Sequence, residues 1–128
     1  MPVKPHNPEG LFPQYGNYHH GVEVTGDSRL LFLSGLNGFQ SDGVTMPESF
    51  DDQAELIWTY MGKILASADM DYGHIVSLRI YLASPDYDEA NMRIRKKFMG
   101  ERRTALTVIC CQLLEPGWKI EIEAVAAS

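Results

Sequence analysis

The chain has 128 residues, 45% of them hydrophobic and 22% charged, with a formal net charge of -6. That fits one soluble domain with a real core and excludes a broad polyanion-binding surface, because phosphate backbones are held by clustered Lys and Arg; a single small anion at a local arginine is still allowed. No stretch approaches ~18 uninterrupted apolar residues, so no membrane span is expected.

The first 20 residues lack the charged start and apolar run of a signal peptide. Cys110 and Cys111 are the two cysteines. Adjacent strand residues point to opposite faces, and a bridge between them would be strained. Free thiols and a cytoplasmic setting are the expectation.

Residues 1–17 carry four of the seven prolines and read as an arm or irregular lead-in, ahead of a domain over 18–128. "YHHGVEVT" (18–25) predicts a first strand, "TGDSR" (25–29) a turn and "LLFLSG" (30–35) a short apolar strand. "NGFQSDG" (37–43) reads as loop. A helix is predicted over 49–69: Ser49 and Asp52 have capping-box spacing, and Ala54, Ile57, Met61, Ile64, Leu65 and Ala68 form one apolar stripe. Gly62 should weaken it by roughly 1 kcal/mol against Ala. "HIVSLRIYLA" (74–83) alternates as a half-buried strand. Ser84-Pro85 opens a second helix with the stripe Tyr87, Ala90, Ile94, Phe98, ended by Gly100. "TALTVICC" (104–111) and "KIEIEAVA" (119–126) are the last strands. The order β-β-α-β-α-β-β predicts an α+β domain with helices on one face of a sheet. The other face would carry Ser77, Arg79, Glu121 and Glu123, a mixed surface suited to packing on another copy of the chain.

Two charges stand out. Arg103 opens one of the last strands and Glu121 lies within the other, joined through "LLEPGW" (113–118). If those strands are neighbours, the two groups approach each other. An arginine fork grips a carboxylate bidentately, and an acid a few ångströms away can hold a water or shuttle a proton. On the residues alone, an exposed ion pair or solvated strand ends is the commoner outcome for such charges. His19-His20 face opposite ways on a strand, and His6 and His74 complete no zinc-like spacing, so no metal is expected. The cysteines sit in apolar company where a thiolate is disfavoured. "SGLNG" (34–38) lacks the Lys and Ser/Thr of a phosphate loop. Asn91 shares a helix face with Ile94 and Phe98, as either a satisfied structural amide or a ligand contact.

The succession "GNYHHGV", "LFLSGL", "IVSLRIYLASPDYDEAN", "RRTALTVI" and "KIEIEAVA", from about Tyr18 to Ala126, resembles the Rid family of reactive-intermediate deaminases, also called YjgF-like proteins. The resemblance implies a chorismate-mutase-like α+β fold and a homotrimer with clefts between subunits. It also implies cofactor-free hydrolysis of enamines and imines, such as 2-aminoacrylate and 2-iminopropanoate, to 2-keto acids and ammonia. By position it implies that Arg103 grips the substrate carboxylate and that Glu121 serves the attacking water. Tyr18, Ser34, Gly35 and Asn91 would line the cleft, with a backbone contact from Ala105. Neither nucleic acid nor membrane is an expected partner. Several positions depart from the family pattern. Glu101-Arg102 replace Pro-Ala before the arginine, Ala105 replaces a common cysteine, and Leu36 replaces a glutamine. The turn with Trp118 is longer, and Asn17 and His19-His20 differ from the usual residues. A module of the same fold that only binds a small carboxylate or a partner protein is the alternative. The retained acid favours the enzyme, since a binder need not keep it.

Overall fold

The structure is a computed structural model, and it describes residues 3–14, 16 and 18–128. Its strands are β1 (Val3–His6), β2 (Tyr18–His19), β3 (Gly21–Val24), β4 (Leu30–Asn37), β5 (Ile75–Leu82), β6 (Thr104–Cys110) and β7 (Ile120–Ala127). The helices are α1 (Phe50–Ser67) and α2 (Asp88–Met99). The main sheet has five strands in the order β2-β6-β5-β7-β4. β6 runs parallel to β2 and β5, whereas β7 is antiparallel to β5 and β4. The parallel β5–β6 pair needs a crossover, and α2 supplies it. This is the expected α+β architecture.

Both helices cover one face. Leu78, Ile80 and Leu82 of β5 meet Ile120, Ile122 and Ala124 of β7 beneath Ile57, Met61 and Leu65 of α1 and Ile94 of α2. Burying each such Leu or Ile stabilises by about 1.5–3 kcal/mol. α1 starts where its cap predicts: the Ser49 hydroxyl accepts from the Asp52 backbone N–H at 3.1 Å. Its buried face is wider than the aliphatic stripe, taking in Phe50, Gln53 and Trp58. Gln53 is polar yet fully satisfied. Its amide donates to the carbonyls of Pro47 and Gly117 and accepts from the Lys119 N–H, tying α1 to two loops. Ser84 and Pro85 first form a short 3-10 turn over Pro85–Tyr87, and α2 follows. Gly100 caps it with φ 62°, a left-handed conformation that suits glycine.

Three sequence expectations change. The first strand breaks at His20: Tyr18–His19 join the main sheet, while Gly21–Val24 pair with β1 in a separate ribbon. Val3–His6 of the lead-in are therefore paired backbone. β4 continues to Asn37, beyond the expected end, through an irregularity between Leu33 and Leu36 that holds Ser34 and Gly35. Finally, β5 lies between β6 and β7, so the last two strands are not neighbours.

Candidate functional site

The open face of the sheet follows from strand alternation. Pleating that buries Ile120, Ile122 and Ala124 turns Glu121, Glu123 and Val125 the other way. The register then sets Arg79 beside Glu123 and Tyr81 beside Glu121. Phe32 of β4 stands on this face with 72% of its surface exposed.

The two acids are not equivalent. Glu123 is engaged: the Tyr81 hydroxyl donates to its Oε1 at 2.8 Å, and Arg79 lies 3.5 Å away. That hydrogen bond, followed by burial, raises the Tyr81 pKa above its ordinary value. Glu121, half-buried, has no cation against it among the described residues. Asn37 Nδ2 donates to its Oε1 at 3.1 Å. The other oxygen lies against Gly35, where a β-carbon would collide with the carboxylate. The β4 irregularity thus shapes a seat for Glu121, with Ser34 exposed beside it. Asn37 and Tyr81 are residues the sequence reading missed. Asn37 sat in an apparent loop, and only the shifted register brings it opposite Glu121.

Arg103 is exposed immediately before β6 and forms no ion pair among the described residues. The parallel pairing of Tyr18 with Thr104 and His19 with Ala105 brings His19 to it. Burial, and then the Arg103 charge, lower the His19 pKa below 6.5. Asn7 Nδ2 donates to His19 Nδ1 at 3.0 Å, so the neutral ring carries its proton on Nε2. Tyr18, His19, Ser77, Ala105 and Thr107 line a groove of about 430 Å³.

Arg103 and Glu121 do not meet within one chain. Glu121 is level with Tyr81 and hence with Ile109, six residues along β6 from Arg103. With one strand between, the separation is about 20 Å. Tyr18, Ala105 and Arg103 gather at one end of the sheet; Ser34, Gly35 and Glu121 gather at the other. Asn91 joins neither group. Its spacing with Ile94 and Arg95 places it on the buried stripe of α2, 1% exposed, and its amide has no hydrogen-bond partner among the described residues. Arg102 diverges from Arg103, as strand alternation requires, but it is not idle at the surface: it lies against Gly73 and lines a cavity beneath α2. Cys110 ends β6 exposed, with Cys111 just beyond it half-buried, and both are free thiols.

Residues 12–128 match the family model described as Endoribonuclease L-PSP. A mouse protein named 2-iminobutanoate/2-iminopropanoate deaminase is 30% identical over 115 residues, 87% of this chain and 81% of that protein. Protein DfrA of Myxococcus xanthus is 31% identical over 117 residues, 88% and 86% of the two chains. Among solved structures, a protein of unknown function of the conserved Rid family, YyfB from Yersinia pestis, superposes with a TM-score of 0.86 at 26% identity over the whole of both chains. With a fold of two helices on a mixed sheet and a family match across all but the first residues, this chain belongs to the Endoribonuclease L-PSP family, the Rid or YjgF-like proteins.

Proposed function

We propose that the protein is a cofactor-free deaminase of 2-imino and enamine acids, acting at sites shared between copies of a homotrimer. The observation that carries this reading is the unneutralised Glu121 carboxylate, seated by Asn37 and Gly35 while the neighbouring Glu123 is occupied by Arg79 and Tyr81. An acid without a cation among the described residues, at the end of a sheet face opposite to an exposed arginine, suits a site completed by a second copy. The exposed Phe32 and Ile109 on the same face supply apolar area for that contact. The name of the mouse relative, 2-iminobutanoate/2-iminopropanoate deaminase, supports the chemistry. The net charge of -6 disfavours a polyanionic RNA substrate.

In this reading Arg103 of one copy forks onto the substrate carboxylate, with the Ala105 backbone and Tyr18 alongside. Glu121 of the next copy holds a water against the C=N carbon. Water adds to that carbon, its proton passes through Glu121 to the nitrogen, and the resulting carbinolamine collapses to the 2-keto acid and ammonia. An enamine first takes a proton at carbon to become the imine. Neutral His19 beside Arg103 leaves the arginine as the main cation at the anchor. Positioning and fixed charge suffice, because such imines already hydrolyse in water.

The test is ammonia release from freshly generated 2-iminopropanoate. Glu121→Gln should slow turnover by at least about tenfold while 2-oxobutanoate still binds. Normal turnover by Glu121→Gln would overturn the assignment, and a wild-type protein that binds 2-oxobutanoate without accelerating hydrolysis would identify a binding module instead.

A further inference from the structure

On the helix side of the sheet, away from Arg103 and Glu121, a cavity of about 320 Å³ lies between α2 and the start of β6. Its apolar wall is Leu78, Met99 and Leu106. Its polar lining is unusual: Arg95, Lys96, Arg102 and the Thr104 hydroxyl reach it, together with Arg93, and among the described residues no Asp or Glu does. Arg93 is spoken for by Asp51 at 2.9 Å. Lys96 has only a distant, exposed contact with Glu101 at 3.8 Å. Arg95 and Arg102 have no ion pair among the described residues.

Arg95 is the decisive group. It is 8% exposed, and its Nη1 is buried with no acceptor among the described residues. Thr104, 2% exposed, likewise has an unbonded hydroxyl. Buried guanidinium donors and hydroxyls are nearly always satisfied, because leaving them bare costs the full desolvation penalty. Two such groups from different elements line one cavity whose charged residues, among those described, are all cations, and no anionic acceptor meets them there. Burial lowers the Arg95 pKa, and Asp88 only partly offsets this. The cavity volume is at the small end for organic ligands.

We propose that this cavity is a second ligand site, distinct from the deaminase site, for a small organic anion with an apolar body. The anionic head sits on Arg95 and Thr104 with Arg102 at the rim, and an alkyl or aryl body packs on Leu78, Met99 and Leu106. Carboxylates and phosphate monoesters share this head-group chemistry.

Octanoate, octyl phosphate, 1-octanol and inorganic phosphate are titrated calorimetrically into the full chain. Octanoate or octyl phosphate should bind, 1-octanol and inorganic phosphate at least about tenfold more weakly, since each lacks one half of the recognition. The tighter of the two amphiphiles identifies the head group. Arg95→Met should weaken binding about tenfold or more, while the ligand-free variant melts no lower than wild type, because a bare buried charge has been removed. Should Arg95→Met fail to fold, Arg102→Ala at the exposed rim carries the test and should weaken binding several-fold. Arg103→Ala should leave octanoate binding intact. The proposal is overturned if neither amphiphile binds, if 1-octanol binds as well as they do, if the folded Arg95→Met or, failing it, Arg102→Ala retains wild-type affinity, or if Arg103→Ala abolishes binding. None of these outcomes depends on deaminase activity.

Discussion

Arg102 and Arg103 are one residue apart in the chain but serve opposite faces of the sheet. The first leans on Gly73 and the cavity beneath α2; the second stands beside His19. For the proposed anchor, Arg103→Lys is expected to be nearly as damaging as Arg103→Ala. A point charge cannot reproduce a planar fork, and losing a charge-assisted bidentate pair costs about 1.5–3 kcal/mol, roughly a ten- to hundredfold drop in kcat/KM. Arg102→Ala should leave deamination near wild type, and imine hydrolysis by the three variants decides between the arginines. His19 gives a pH signature. Its folded pKa lies below 6.5, so above that pH neither the folded nor the unfolded state holds the proton and nothing is lost. As pH falls through 6.5 the unfolded state protonates first, and stability declines until the folded pKa is passed. His19→Gln should therefore lose less Tm than wild type between about pH 7.5 and about pH 5. Equal losses would show that His19 titrates normally.

At the scale of the element, Gly62 shows how context reverses a propensity. Glycine within a helix costs about 1 kcal/mol against alanine, so Gly62→Ala in isolation should strengthen α1. Here the Tyr72 hydroxyl donates to the Trp58 carbonyl at 2.7 Å and lies against Gly62, where a β-carbon would collide with it. Burial raises the Tyr72 pKa and keeps it a hydrogen-bond donor. Gly62→Ala should accordingly lower the melting temperature, while the same change in a Tyr72→Phe background should cost less or become favourable. Thermal melts of the four proteins in this cycle give the coupling directly. A stabilising Gly62→Ala in the wild-type background would remove the packing argument. The β4 irregularity is the second element-level device. It keeps Leu33 and Leu36 with the core while Gly35 yields its space to the Glu121 carboxylate.

For the whole molecule, the distance between Arg103 and Glu121 is the governing fact. About 20 Å along and across one sheet is too far for one small acid to touch both. A shared site predicts complementation. Arg103→Ala and Glu121→Gln proteins, each slowed at least about tenfold alone, should rise to about a quarter of wild-type activity when subunits exchange at equal concentration, because one interface in four pairs an intact arginine with an intact acid. Light scattering on the same samples should give three chain masses. A monomer mass, or no recovery in mixtures that have demonstrably exchanged, would rule out sites between copies.

Periodicity in the sequence determined the helices, β5, β7 and which residues face the helices, since alternation and the 3.6-residue repeat are local consequences of backbone geometry. Ser49, Pro85 and Gly100 marked element ends for the same local reason. The ordered succession of stretches from "GNYHHGV" to "KIEIEAVA" placed the family, and the Arg-Thr opening of β6 and the "KIEIEAVA" ending were its most specific parts. Pairing was not legible. That β5 separates β6 from β7, that the strand at 18–25 divides at His20, and that Val3–His6 pair at all depend on hydrogen bonds between segments distant in sequence. The site followed the same division. Arg103 and Glu121 were visible as charges out of place, and the resemblance already pointed to Glu121; their separation, the engagement of Glu123 by Arg79 and Tyr81, and the contact of Asn37 with Glu121 came only with the register. So did the buried Arg95, whose Nη1 has no hydrogen-bond partner among the described residues and which the sequence shows merely as one more cation on a helix: burial and missing partners are properties of packing between elements, and no local pattern encodes them.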